Sequence, residues 1–300
     1  MIRGIIFKES VDDAYIFKHA PSSEVGTNLY PVHTDGLTFV LSVHKPRCMC
    51  QLSSMITLLN ISACVVQLMC KLFRRCIMKI VSLSFDDGTV YDVRFIELLN
   101  KYNLRATLNL NSGLKDFVWY YGDTPIKRLD LMKVKDMYAG HEVASHSLTH
   151  PYFSSLTHEE IEKEVFGDIR NLTDIFGHRV NGFAFPFHDQ TEENIQAVSK
   201  CADLKYIRFS YLTDNCTPAD RYHIPINALY DDPDIYEKLS AFSQCAEENA
   251  LFVIAGHSYE FEVKDDWQKI EKLLSYLSET EELTVLPLAD AVNILFPCAD

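Results

Sequence analysis

The chain has 300 residues, 47% hydrophobic and 12% aromatic, which is enough for a packed core in one barrel-sized domain or two smaller ones. Its formal net charge of -14 excludes a surface that holds nucleic acid or an anionic membrane by charge, because those partners select basic faces, and favours a neutral or cationic substrate. The acidity is uneven: residues 1–77 carry 8 Lys and Arg against 5 Asp and Glu, so the totals of 28 and 42 leave 20 against 37 in residues 78–300.

The nine cysteines divide at the same place. Cys48, Cys50, Cys64, Cys70 and Cys76 crowd the first quarter, while Cys201, Cys216, Cys245 and Cys298 are scattered. Cys48-Met49-Cys50 has no matching pair at zinc-site spacing and an odd total excludes full internal pairing, so free thiols in a reducing, cytoplasmic setting are expected.

Residues 1–77 show no sustained periodicity and read as a poorly defined N-terminal extension, disordered or not native. Within them residues 52–69 are uncharged and flanked by basic residues, but Ser53, Ser54, Thr57, Asn60, Ser62 and Gln67 make a poor membrane span. The stretch also lies too far from Met1 for a signal peptide, and no membrane association is expected. Met78 begins good strand sequence abruptly and is expected to be the natural start of a functional domain, 78–300.

From Met78 the pattern is regular. A buried strand at 80–85 precedes a helix at 90–102 with Val93, Ile96 and Leu99 on one stripe, and a second strand follows at 106–110. Residues 128–138 read as a helix ended by Gly140, and 142–145 as a short strand delivering His146. Thr157 and Glu160 form a capping box for a long helix that Gly177 stops. Strand 182–185, helix 192–201 and strand 205–209 come next, then strand 222–226, helix 232–249 and the apolar strand 251–255 that ends in Gly256-His257. A helix at 265–277, a strand at 283–286 and a helix at 288–295 close the chain.

Strands alternating with helices imply a parallel sheet covered by helices. Asp86 and Asp87, His146, Pro186 to Asp189, and His257 all follow strands. In a closed β/α barrel such positions converge on the C-terminal mouth, whereas an open sheet spreads them along an edge. The expected fold class is therefore α/β, a distorted, TIM-like (β/α) barrel of about seven strands.

Asp86-Asp87-Gly88 ends the first strand and His146-Ser147-Leu148-Thr149-His150 follows about sixty residues later. One carboxylate with two imidazoles at i and i+4 can bind a divalent metal, which leaves the second carboxylate for proton transfer. The spacing is read as placing both imidazoles on one side of a helical turn. Either piece alone occurs in ordinary turns or on solvated helices; the conjunction with His257 is what points to chemistry.

These residues resemble the polysaccharide deacetylases with a NodB-like homology domain, carbohydrate esterase family four. Ser84-Phe85-Asp86-Asp87-Gly88 is similar to the first motif, His146 to His150 to the second, Gly182 to Phe187 to the third, and Gly256 to Phe261 to the last. The resemblance implies that Asp87, His146 and His150 hold a divalent metal, usually Zn2+. It also implies that Asp86 is the general base, His257 the general acid, and the backbone N–H of Phe187, after Pro186, a stabiliser of the oxyanion. The implied reaction removes N-acetyl, less often O-acetyl, groups from an acetylated amino sugar in a chitooligosaccharide or peptidoglycan-type glycan.

Two departures stand out. Ala184 occupies the place where the family commonly has an arginine that orients the base, and no Asp-x-x-Asp-Trp-like motif is present. Arg208, near the end of the strand after the third motif, is expected to supply the missing guanidinium. His188 and Asp189 either line the cleft or cap a helix, and Trp119, Tyr120 and Tyr121, in a loop after the second strand, either stack on sugar or pack. Two other readings are a metal-dependent amidohydrolase on a small non-sugar amide or cyclic ureide, and a non-catalytic carbohydrate-binding barrel, which the presence of all five acid, base and ligand residues disfavours.

Overall fold

The computed structural model describes residues 78–297 other than 202, 248 and 249, and before them three strands: β1 (Ile6–Lys8), β2 (Asn28–Thr34) and β3 (Leu37–Val43). The chain divides into two compact units, Met1–Leu72 and Phe73–Asp300. In the first, β3 pairs antiparallel with both β1 and β2. No element is expected there from periodicity, and the β-branched and aromatic run Leu37–Val43 is the local signal for β3. The apolar stretch 52–69 lies outside the described residues. Among the described residues no helix is long and apolar enough to cross a membrane.

The second unit is built on parallel strands. Its core strand β4 (Lys79–Asp86) is buried along its whole length. The others are β5 (Thr107–Leu110), the hairpin β6 (Val118–Tyr121) and β7 (Thr124–Lys127), β8 (Glu142–Ser145), β9 (Gly182–Ala184), β10 (Tyr206–Leu212), β11 (Ile224–Ile226), β12 (Ala228–Leu229), β13 (Ala250–His257) and β14 (Leu283–Val285). The order β11-β10-β9-β8-β5-β4-β13-β12 is parallel throughout, with β14 added to the first half of β4.

Closure happens at one residue. Asn227 separates β11, which pairs with β10, from β12, which pairs with β13. Its backbone N–H donates to Val253 O at 2.8 Å and its Oδ1 accepts from Val253 N at 2.8 Å, while Nδ2 donates to Thr213 O and Asn215 O at 3.0 Å each. A buried asparagine thus ties together both lips of the ring. With β11 and β12 counted as one bent strand and β14 set aside, seven strand positions make the nearly closed barrel, as the alternation of elements leads one to expect.

Side chains on β4 alternate in direction, as any strand requires. Val81, Leu83 and Phe85 pack outward with Phe95, Leu99, Phe261 and Trp267 on the covering helices. Ile80, on the other face, packs with Leu251, Val253, Tyr206 and Leu288. The helices are α1 (Asp92–Lys101), the single turn α2 (Leu131–Val134) continued by a 3-10 turn at Lys135–Tyr138, α3 (His158–Phe176), α4 (Glu192–Cys201), α5 (Ile235–Gln244), α6 (Ser258–Val263), α7 (Trp267–Glu279) and α8 (Leu288–Leu295).

The predicted capping box of α3 is present, Thr157 N donating to Glu160 Oε2 at 2.8 Å, and Gly177 ends the helix at φ 70°. Helix α8 closes the N-terminal end of the barrel. Its first N–H groups donate to Thr107 Oγ1 and Glu142 Oε2 at 2.8 and 2.9 Å, so two strand residues cap it.

Candidate metal centre and active site

The C-terminal ends of the strands open onto a pocket of about 670 Å3. Register decides which residues meet there. Asp86 pairs with His257 on one neighbour, β13, and with Asn109 on the other, β5; Leu110 pairs with Ser145, the residue before His146; and Ala184 pairs with Arg208.

After Asp86 the backbone turns through two left-handed residues, Asp87 at φ 87° and Gly88 at φ 64°. Gly88 takes that conformation without a Cβ, and a Cβ there would lie 2.9 Å from Leu110 Cδ2. The turn sends the two carboxylates to different partners. Asp86 Oδ1 accepts from Asn109 Nδ2 at 2.7 Å and from Arg208 Nη2 at 2.5 Å, and its Oδ2 accepts from the same Nη2 at 2.7 Å. Asp87 Oδ1 lies 2.8 Å from Arg128 Nη2, and Arg128 Nη1 also donates to Asp87 O and Asn111 Oδ1.

Arg208 is buried, at 1% exposure, and stands directly across from Ala184. The guanidinium that the third motif lacks therefore comes from the opposing position on the next strand. Burial alone would raise the Asp86 pKa, but Arg208, then His146 and His257, outweigh it and hold the carboxyl below its usual range. Asp87 is likewise lowered against the effect of burial, by Arg128 and the histidines.

His146 and His150 do not sit on a helical turn. Residues 146–150 form an irregular loop with Ser147 at φ 67° and His150 at φ 58°. Two non-glycine left-handed residues cost about 1–3 kcal/mol each, and the cost is sustained where surrounding contacts fix the backbone. His146 Nδ1 donates to Ala184 O at 2.8 Å, since a carbonyl only accepts, and this leaves Nε2 as the unprotonated nitrogen, 3.9 Å from Asp87 Oδ1. His150 Nε2 is 3.5 Å from the same oxygen. Burial lowers the pKa of both imidazoles, His146 to about 3, so both are neutral at ordinary pH.

These residues fit a metal ion. Ligand atoms of Asp87, His146 and His150 lie within 4.8 Å of one another, both histidines are in the neutral form that binds metals, and Asp87 Oδ1 is buried without a hydrogen bond. One carboxylate and two imidazoles are the donor types that a divalent ion such as zinc accepts.

His257, at the end of β13, brings Nε2 to 4.0 Å from Asp87 Oδ2 and Nδ1 to 3.4 Å from Glu260 Oε2. Burial opposes its protonation, but Glu260, Asp87 and Asp86 prevail and push its pKa up to about 9. Glu260, three residues on in α6, is thus the carboxylate that faces His257 Nδ1.

The remaining predicted residues are placed as follows. Phe187 lines the pocket at φ 55°, its ring stacked on Tyr152 at 4.0 Å. Pro186 is buried behind it, and His188 is exposed at the pocket wall. Asp189 accepts from Ser154 N at 2.8 Å and holds a neighbouring loop. Trp119 lies on the hairpin rather than in a loop. Arg128 is 4.9 Å from its ring centroid, Tyr259 meets it edge-on at 5.5 Å, and Phe117 stacks at 6.4 Å, so the indole lines the pocket mainly as a brace for Arg128.

Four contributors escaped sequence reasoning: Arg128, Asn109, Asn111 and Glu260. Asn109 and Asn111 alternate with apolar residues at the end of β5, a visible signal of polar groups turned into the barrel. Arg128 gave none, because nothing local tells a buried arginine after a hairpin from an exposed one.

The polysaccharide deacetylase family model matches residues 76–207. That segment is similar to the polysaccharide deacetylases. The chain is 25% identical over 136 residues to Chitin deacetylase 1 of Cryptococcus neoformans var. grubii serotype A, covering 45% of this chain and 26% of that protein. It is 28% identical over 122 residues to Chitin deacetylase 3 of Cryptococcus neoformans var. neoformans serotype D, covering 41% and 28%. The chain therefore spans little more than a quarter of the curated relatives it matches. A family 4 carbohydrate esterase from Bacillus anthracis aligns with a TM-score of 0.48 at 15% identity, over 72% of this chain and 83% of that one. Arg208 and His257 lie beyond the family match, and their place in the site rests on the geometry above.

Proposed function

We propose that this chain is a metal-dependent hydrolase that removes N-acetyl groups, or O-acetyl groups, from a carbohydrate carrying acetylated amino sugars. The observation that carries the reading is the pair formed by Asp86 and His257, side by side in register, the carboxyl held below and the imidazole above its usual range. A carboxylate held ionised and an imidazole held protonated are a base and an acid assigned by their surroundings.

A divalent metal held by Asp87, His146 and His150, most naturally zinc, would lower the pKa of water to about 7 and polarise the acyl oxygen. Asp86, fixed by Arg208 and Asn109, takes the proton of the attacking water. His257, charged through Glu260, delivers a proton to the departing amine, which leaves poorly without one. The backbone N–H of Phe187 is the expected donor to the oxyanion. The apolar and aromatic walls, including Phe117, Phe187 and Tyr259, suit the faces of sugar rings.

Acetate release tests the reading: metal-loaded protein is assayed on chitooligosaccharides, a peptidoglycan fragment, acetylated xylan and a cyclic ureide. Release from an amino-sugar substrate supports it. Turnover of the ureide alone would establish the small-amide hydrolase instead, and binding of chitooligosaccharide without release would leave a carbohydrate-binding barrel.

A further inference from the structure

The loop that carries His146 and His150 has no regular structure of its own, yet its backbone is closely held. His146 N donates to Leu110 O at 2.8 Å, and Asn111 Nδ2 donates to the carbonyls of His146 and Ser147 at 2.5 and 2.8 Å. Leu148 O accepts from Gly113 N at 3.0 Å, an approach that a Cβ on Gly113 would block at 2.5 Å.

The other side of the loop rests on α3. Glu164 Oε2 and Oε1 accept from Thr149 N and Oγ1 at 2.8 and 2.7 Å, and Glu164 O accepts from Leu148 N at 3.0 Å. One helical turn later, buried Asp168 accepts through Oδ2 from Ser145 Oγ at 2.6 Å and through Oδ1 from Ser112 N and Oγ at 2.7 and 2.6 Å. Ser145 Oγ in turn accepts from Ser147 N at 3.3 Å, and Ser147 Oγ from His150 N at 3.1 Å.

We propose that Glu164 and Asp168, an i, i+4 pair on one face of α3, are the positioning residues of the two histidines. Asp168 fixes the chain where it enters His146, through Ser145. Glu164 fixes it where it enters His150, through Thr149. The two carboxylates, one helical turn apart, grip the two ends of the loop, so a rigid element holds an irregular one in place. The arrangement also accounts for two left-handed residues in five, since contacts from β5, the segment after it and α3 hold the strained backbone from both sides. Groups hydrogen-bonded directly to a metal ligand typically change metal affinity about 10–100-fold when removed, and these carboxylates act one residue further out, through the backbone that carries the ligands.

This inference rests on the reading of Asp87, His146 and His150 as a metal site, and the experiment separates the two. Dissociation constants for Zn2+ and Co2+ are measured by chelator competition on full-length wild type, Glu164→Ala, Asp168→Asn, His146→Ala and the solvent-facing control Glu162→Ala. The Co2+ absorption spectrum and metal-free melting temperature are recorded for each. Expected are a loss of affinity of about tenfold or more and an altered Co2+ spectrum for Glu164→Ala, with its metal-free melting temperature close to that of Glu162→Ala. Asp168→Asn keeps the side chain's shape and is expected to weaken binding in the same direction. Wild-type affinity and spectrum in both α3 variants, with His146→Ala unable to bind, would overturn the inference alone. If wild type binds no metal, or His146→Ala binds it equally, the metal reading itself fails.

Discussion

The two ends of the barrel are both polar, and they differ in how fully their charged groups are hydrogen-bonded. At the N-terminal end Glu142 fills its oxygens, Oε1 accepting from Tyr206 Oη at 3.0 Å and Oε2 from Thr107 Oγ1 and Ala289 N at 2.7 and 2.9 Å. At the C-terminal end Asp87 Oδ1, Arg128 Nε, Arg208 Nε and His257 Nδ1 are buried without a hydrogen bond, and charges of both signs crowd together. A satisfied network stabilises and specifies a fold; an unsatisfied one costs stability and persists where it has work to do. The difference marks which end is for holding the barrel closed and which is for reacting.

The comparison is broken most severely at the metal centre. His146→Ala is expected to abolish both metal retention and turnover while leaving the melting temperature of the metal-free protein nearly unchanged, which elemental analysis and acetate release would check. Arg208→Ala comes next. It removes the guanidinium from a buried carboxylate, a loss of about 3–5 kcal/mol where a buried pair is broken. Turnover should fall by about a hundredfold or more with metal affinity far less affected, and equal losses in both would remove Arg208 from the role of orienting the base.

Glu260→Gln should act on pH rather than on metal. Without that carboxylate the His257 pKa falls from about 9, so the alkaline limb of the kcat/KM profile moves to lower pH. An unmoved limb would mean that another group is the acid. At the other end, Glu142→Gln should lower the melting temperature by a few degrees and leave kcat unaltered; a kcat effect would dissolve the division between the two ends.

The smallest effect concerns Asp92, a buried carboxyl that accepts from Tyr138 Oη at 3.0 Å and from Ser258 Oγ, and whose pKa burial raises to about 7. Its folded pKa exceeds its unfolded value of about 4, so the folded state binds the extra proton between these limits. The contribution is full below about pH 4 and is lost as pH rises to about 7. Asp92→Asn should flatten that slope in thermal melts; an unchanged slope would assign it to other groups such as Asp168, also raised to about 7 by burial.

Much of the barrel was legible. Strand 142–145 and helices 192–201 and 288–295 fall where periodicity and end signals put them, and α3 begins and ends on its capping box and glycine. The hairpin of β6 and β7, the short α6 and the closing strand β12 were not read, because each is too brief for a periodic signal and is held by contacts from distant segments. Strand β10 extends beyond the expected 205–209 to Leu212, which still pairs with Ile226 of β11 after a shift of register. At the site the sequence marked Asp86, Asp87, His146 and His257 as strand-end residues that converge on one mouth, and all four line the pocket, but it put His146 and His150 on a helical turn where the structure has a strained loop.

By itself, then, the sequence determined the alternation of strands and helices, the barrel it implies, and the chemical types gathered at its mouth, because periodicity and residue identity are local properties. Only the tertiary structure decided the partners: that Arg208 faces Ala184 and grips Asp86, that Arg128 lies beside Asp87, that Glu260 lies beside His257, and that α3 hydrogen-bonds the histidine loop. Each of these depends on strand register or on helix placement across tens of residues, and a change of register by one position would turn a strand residue such as Arg208 to the other face.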